Sequence, residues 1–159
     1  MMVCGSVDDL FLHDGFSAVA AGQKLNHSWN RLNSGLMVIE PSEQTCRDLI
    51  ATAQQTILRY AERGQSVGDQ DVINDYQPHW PEQTALHLDE GYNLFFKHLT
   101  AYHRRFGYAF GRNISIIHFI GQRKPWHYSR LKQWLRILKM MKQNPYAIKP
   151  YRQYLRLMR

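Results

Sequence analysis

The chain has 159 residues, 44% hydrophobic and 13% aromatic, which is enough for one domain with an apolar core. This aromatic content excludes a wholly disordered chain, which could not offset its conformational entropy by burial. Apolar runs fall short of the ~20 residues of a membrane-spanning helix, and the N-terminus lacks the pattern of a secretory signal. Two cysteines, Cys4 and Cys46, indicate a reducing compartment rather than a disulfide framework. We therefore expect a soluble, cytoplasmic, single-domain protein.

Charge is unevenly distributed along the chain. Twenty Lys and Arg against thirteen Asp and Glu give a net charge of +7, and the segment after Tyr102 contains no acidic residue. This basic segment favours an anionic partner: nucleic acid, a membrane surface or a phosphorylated ligand. A solvated basic face without a specific partner explains the same pattern equally well.

The first 64 residues are predicted to form short apolar elements followed by a long helix. The short elements are a strand end at Met1–Cys4, a helical turn at Ser6–Phe11, a buried strand at Ala18–Ala21 and, after a polar loop, a strand at Leu36–Ile39. We expect the last of these to be covered on both faces, since it is a continuous apolar run. Ser42 is a good N-cap for a helix that Gly64 ends.

The remaining elements complete an alternation of strands and helices. They are a short helix from Asp69, a proline-flanked loop around Trp80, a brief strand at Leu86–Leu88, a partly helical connection at Tyr92–Phe110, a buried strand at Ser115–Ile120 and an amphipathic helix at Arg130–Lys142. The last helix carries Leu and Trp on one side and Lys and Arg on the other. Strands alternating with helices predict an α/β fold.

Two groups of polar residues could carry chemistry. Asp69-Gln70-Asp71 begins a helix, where carboxylates can cap the helix, contact sugar hydroxyls, hold a cation or stabilise developing positive charge. His118 ends an apolar strand, and Lys124 follows Gly121 in the next loop. A histidine there can bind a metal and the lysine a phosphate, although a hydrogen-bonded core histidine and a surface lysine explain the same residues.

Taken together and in order, these segments resemble family 8 retaining glycosyltransferases, which include glycogenin and bacterial lipopolysaccharide galactosyltransferases. The resemblance is carried by Leu32–Val38 with Asn33-Ser34-Gly35, by Asp69–Asn74, by Tyr92-Asn93 and by His118–His127 with Gly121, Lys124, Pro125 and Trp126. It implies a GT-A fold, Mn2+, a UDP-sugar donor and retention of anomeric configuration, with bacterial polysaccharide synthesis as one setting.

The resemblance also implies a role for each matching residue. Asn33, Ser34 and Asp69 would contact the donor sugar, with Gln70 beside the anomeric carbon and Asp71 close by. His118 would bind the metal, and Gly121 and Lys124 would contact the diphosphate. The acceptor would be a glycan or a lipid-linked sugar.

The family's Asp-X-Asp metal motif and its first uridine-binding strands would precede Met1. We therefore expect residues 1–128 to be the C-terminal part of a truncated GT-A domain, inactive alone and weak in Mn2+ binding. Residues 129–159 form a basic tail suited to an anionic membrane surface, on the inner face of the membrane, whereas nucleic acid is disfavoured. The alternatives are a non-catalytic membrane or nucleic-acid binder and a degenerate remnant.

Overall fold

A computed structural model describes residues 1–121 and 124–158. Gln122 and Arg123, within the predicted diphosphate-binding segment, and Arg159, at the end of the basic tail, lie outside the described residues. The chain divides into two compact units, Met1–Val7 with Glu90–Arg159 and Asp8–Asp89.

The strands are short and the helices are of very unequal length. In the described residues the strands are β1 (Met2–Val3), β2 (Ser17–Val19), β3 (Asn33–Val38), β4 (Leu94–Phe95) and β5 (Ile116–His118). The α-helices are α1 (Glu43–Glu62), α2 (Asp69–Tyr76), α3 (Leu99–Phe106), α4 (Arg130–Gln143) and α5 (Ile148–Leu157). The mixture of strands and helices agrees with the predicted α/β class.

The unit Asp8–Asp89 is built from the antiparallel pair β2–β3 and the helices α1 and α2. Ser42 caps α1 as predicted, because its Oγ accepts a hydrogen bond from Thr45 N at 3.0 Å. A small apolar core forms around Trp80, which is fully buried with Ala18, Ala20 and Leu32. Trp80 Nε1 donates a hydrogen bond to Phe16 O at 2.9 Å, so burial of the ring leaves no unpaired donor on it.

The other unit contains a three-stranded sheet in the order β1-β5-β4. β5 pairs antiparallel with β1 and parallel with β4. Ile117, at the centre of this sheet, is fully buried, which confirms the buried strand predicted around it. β5 ends at His118, so the sheet fixes the position of this imidazole.

Two strand predictions are corrected by the structure. The predicted strand at Leu86–Leu88 is instead a 3-10 turn at Thr84–Leu86 followed by a single bridge between His87 and Ala18. The strand around Leu36 exists, but every residue of β3 is only half-buried and Ile39 is 44% exposed. It therefore is not covered on both faces, because neither the odd nor the even positions of the strand are buried.

The aromatic rings of the basic tail are unequally exposed. Tyr151 and Tyr154 of α5 are buried, and Tyr146 stacks on His103 with ring centroids 3.7 Å apart. In α4 the opposite holds, since Met140 is the buried apolar residue and Trp134 is 57% exposed. The apolar side of α4 thus faces outward; its other exposed members are Leu131, Leu135, Leu138 and Met141. Among the described residues, no helix is both long and apolar enough to span a membrane.

Candidate active site

Asn33 and Ser34 are presented by an irregular stretch of β3. The register pairs Ala18 with Met37 but Val19 with Asn33, so the residues between 33 and 37 have no opposite partner on β2. Bulges of this kind re-aim side chains and are frequent beside active sites. The Asn33 side chain turns back on the bulge, where its Oδ1 accepts from Gly35 N at 3.0 Å.

The structure brings the side chains of Asn33 and Gln70 into contact. Asn33 Nδ2 donates to Gln70 Oε1 at 2.8 Å, although the two residues are 37 positions apart. Gln70 lies in the first turn of α2 and its side chain is exposed, so this contact holds an otherwise mobile amide at the surface. The contact lies wholly within the unit Asp8–Asp89.

The two carboxylates beside Gln70 have different environments. Gly68 is the N-cap of α2, and Asp71 completes a capping box by accepting from Gly68 N at 2.9 Å. Its other oxygen accepts from Tyr60 OH at 3.1 Å, a bond that is the main cause of the raised Tyr60 pKa. Asp69 is exposed in the first turn and makes no cap. The capping role that the sequence allowed for Asp69 therefore belongs to Asp71, and Asp69 is open to a ligand.

Asn74 is a positioning residue that the sequence analysis did not identify. It is 4% exposed, and its Nδ2 donates to Leu32 O and to Gln70 O, both at 2.8 Å. These two bonds tie the start of β3 to the first turn of α2. The Asn33–Gln70 contact depends on this tie, since Leu32 directly precedes Asn33.

In the other unit, His118 is held by a second buried amide. Its Nδ1 lies 2.9 Å from Oδ1 of Asn93, which is 1% exposed. Because that oxygen accepts, the ring is the tautomer with hydrogen on Nδ1, and Nε2 keeps its lone pair. Burial lowers the pKa of His118, and the N-terminal ammonium and Lys124 lower it further. At neutral pH the imidazole is therefore uncharged.

Gly121 and Lys124 lie in the loop after β5. Gly121 has φ +93°, a conformation that side-chain-bearing residues rarely adopt, which explains a glycine at this point. Lys124 Nζ donates to Phe119 O at 2.6 Å, so the ammonium is folded back across the loop. An ammonium has three donors, and this bond uses one of them.

His118 does not by itself make a metal centre. Within residues 1–121 and 124–158 there is no group of three or more His, Cys, Asp or Glu side chains that could hold an ion. The donor set present thus does not fit the Mn2+ implied by the resemblance, which would take one ligand from His118 Nε2.

Comparisons with known proteins identify the family. The family model described as Glycosyl transferase family 8 matches residues 3–130. The chain is 33% identical to Glycogenin-1 of Mus musculus over 131 residues, which cover 80% of this chain and 35% of that protein. It is 31% identical to Glycogenin-1 of Caenorhabditis elegans over 149 residues, covering 86% and 31%.

A third relative is Inositol phosphorylceramide glucuronosyltransferase 1 of Arabidopsis thaliana, 38% identical over 80 residues that cover 50% of this chain and 13% of that protein. The chain spans about a third of the length of the glycogenins that it matches. The family match covers most of the chain and includes both groups of candidate site residues. The chain therefore belongs to glycosyl transferase family 8.

Proposed function

We propose that the protein transfers a hexosyl group from a UDP-sugar to a glycan or lipid-linked acceptor, with retention of anomeric configuration. Family membership supports glycosyl transfer in general. The observation that carries the finer proposal is the hydrogen bond from Asn33 Nδ2 to Gln70 Oε1. It joins two residues, far apart in the sequence, that the resemblance assigns to the donor sugar.

Retaining transfer passes through a sugar with positive charge at the anomeric carbon. The Gln70 carbonyl, oriented by Asn33, would present the negative end of its dipole to that charge. Asp69 would accept hydrogen bonds from sugar hydroxyls, because its carboxylate is exposed beside Gln70, and Ser34 would contact the same sugar. Asp71 would act by positioning, since both of its oxygens already hold the first turn of α2.

The unit that contains His118 offers groups suited to the negative charge of a diphosphate. Lys124 offers its remaining ammonium donors, and the backbone at Gly121 can approach a diphosphate closely because no side chain stands there. The neutral His118 would keep Nε2 available as a ligand or acceptor.

Hydrolysis and transfer from UDP-glucose and UDP-galactose test this proposal. The assay uses the 159-residue chain and, alongside it, the full product of its reading frame. Gln70→Ala should lower the rate by about 10²–10³-fold, as for loss of one preorganised dipole. Gln54→Ala, an exposed amide of α1, is the control and should keep full activity. Failure of both proteins to bind UDP by calorimetry would refute the proposal.

The outward apolar side of α4 favours a second role, contact with an anionic membrane surface. Trp134, Leu135 and Leu138 are 57%, 51% and 42% exposed. Lys132, Lys139 and Lys142 are exposed on the same helix, so apolar and cationic groups can meet one surface together. One relative is named for transfer to a ceramide lipid, which supports a lipid-linked acceptor. On this proposal the protein works in the cytoplasm at the inner face of the membrane.

Vesicle co-sedimentation tests the membrane role. Binding to phosphatidylglycerol vesicles should exceed binding to phosphatidylcholine vesicles and should fall with salt. Trp134→Gln should weaken it by about tenfold or more, because a large apolar group inserted in lipid contributes roughly 1.5–3 kcal/mol. Leu12→Gln, an 86% exposed residue of the other unit, is the matched control. Equal effects of the two substitutions would contradict insertion of α4.

A further inference from the structure

We propose that a cavity beside α4 binds a phosphate ester, at a site that the donor-binding residues do not form. The cavity has a volume of about 320 Å3 and is lined by three cationic side chains, Lys97, Arg136 and Lys139. Phe96 and Met140, both buried, also line it, and His118, Gly121 and Lys124 do not. The inference goes beyond the proposed function and does not rest on it.

The three cations are not neutralised by protein carboxylates. In the described part of the chain, none of them forms a salt bridge. Glu90 is the single acidic side chain in Glu90–Arg159, and it is buried in a hydrogen bond with Tyr102 OH. Three cations gathered around one cavity repel one another, so an anion of two charges would relieve the repulsion.

Arg136 is fixed in place before any ligand arrives. Its Cζ lies 4.4 Å from the ring centroid of Tyr128 and 5.8 Å from that of Tyr151. Its Nε is buried and has no hydrogen-bond partner within residues 1–121 and 124–158. A buried donor without a partner costs free energy that a ligand oxygen would recover. A planar guanidinium held in this way suits the oxygens of a phosphate.

Lys97 is brought to the cavity by Asn144, which follows α4. Asn144 Oδ1 accepts from Thr100 N at 3.0 Å, and its Nδ2 donates to Phe96 O at 3.0 Å. These bonds fasten the end of α4 to the segment that contains Lys97. The cations therefore come from two chain segments held in one arrangement, which lowers the entropic cost of binding.

The size and lining of the cavity restrict the ligand. Its volume is at the low end of small-molecule sites, which span roughly 300–1,000 Å3. There is room for a phosphate with a small organic group, such as glycerol or one hexose. The shared chemistry is a phosphate ester, which a soluble metabolite or the headgroup of an anionic phospholipid can supply.

Calorimetry on the 159-residue chain tests this site, with inorganic phosphate and glycerol 3-phosphate as probes and no nucleotide present. Lys97→Gln and Lys139→Gln should each weaken binding by about tenfold, the loss expected for one charge-assisted hydrogen bond. Both side chains are exposed, so the fold should tolerate the changes. Lys132→Gln removes an equally exposed charge from α4 outside the cavity and is the matched control.

Three further readouts complete the test. Lys124→Gln should leave phosphate-ester binding at the cavity unchanged. This variant therefore distinguishes the cavity from the proposed UDP-sugar site. The phosphate ester belongs to a lipid headgroup if glycerol 3-phosphate displaces the chain from phosphatidylglycerol vesicles and Lys97→Gln weakens binding to both the ester and the vesicles. It belongs to a soluble metabolite if only the free ester binds. Absence of saturable binding to ester and vesicle, or equal losses in Lys97→Gln and Lys132→Gln, would overturn the proposal.

Discussion

Asn74→Ala provides a direct test of how the fold positions the candidate donor-sugar site. The substitution removes both hydrogen bonds that tie Leu32 O and Gln70 O to the Asn74 amide. Asn74 is 4% exposed, so water cannot replace the lost donors without opening the packing. One buried hydrogen bond contributes about 1 kcal/mol, and a carbonyl left without its donor costs about 1–3 kcal/mol. We expect a loss of about 2–4 kcal/mol in the free energy of unfolding.

Urea unfolding followed by tryptophan fluorescence measures this loss. Trp80 is fully buried in the same unit as Asn74 and reports the unfolding of that unit. With a slope of about 2 kcal/mol/M, the midpoint should move down by about 1–2 M urea. The Asn33–Gln70 contact should loosen with it, which NMR detects as averaging of the Asn33 side-chain amide signals.

Asn74→Asp sharpens the test because it keeps the shape of the side chain. It replaces both donor hydrogens by a charged oxygen that faces two carbonyl oxygens, so it should destabilise at least as much as Asn74→Ala. Gln54→Ala on exposed α1 should change stability by less than about 0.5 kcal/mol. The reasoning fails if Asn74→Ala behaves like the Gln54 control, or if Asn74→Asp is as stable as the unsubstituted protein.

Three other predictions follow from the unit that contains His118. Burial is the main cause of the lowered pKa of both His98 and His118, so the unfolded chain takes up protons at a higher pH than the folded chain does. The free energy of unfolding should therefore decrease as the pH falls through about 6.5. The urea midpoint should depend less on pH in His118→Gln. Burial raises the pKa of Cys4 to about 11, so at pH 8 this thiol should react with a disulfide reagent about 100-fold more slowly than exposed Cys46, and equal rates would contradict its burial. Gly121→Ala should cost about 1–2 kcal/mol by urea unfolding because of the positive φ, and a neutral effect would rule out that backbone conformation.

Local patterns were sufficient to predict the longest elements of the fold. The Ser42 cap is a property of neighbouring residues, and the cap and the long helix that follows it are both confirmed. Strand burial was harder to predict, because an apolar run such as Leu36–Ile39 does not reveal which elements will pack against the two faces of its strand. The outward orientation of Trp134 was also beyond the sequence, since an amphipathic pattern predicts two sides of a helix but not which side packs.

In the candidate site, too, the sequence did not reveal hydrogen bonds between residues that lie far apart along the chain. The resemblance assigned Asn33 and Gln70 to the donor sugar, which stays a prediction, and only the structure reveals that the two side chains contact each other. Asn74 and Asn93 were missed as positioning residues because their partners lie 42 and 25 positions away. The capping role went to Asp71 rather than Asp69, and both residues satisfy the local pattern at a helix start.

An NMR titration with a nucleotide sugar tests the central claim most directly. We expect UDP alone to shift signals of His118 and Gly121, and UDP-galactose or UDP-glucose to shift in addition the side-chain amides of Asn33 and Gln70. These four residues serve as separate reporters for the diphosphate and for the sugar. Shifts confined to other parts of the chain at saturating donor would show that these residues do not bind a nucleotide sugar.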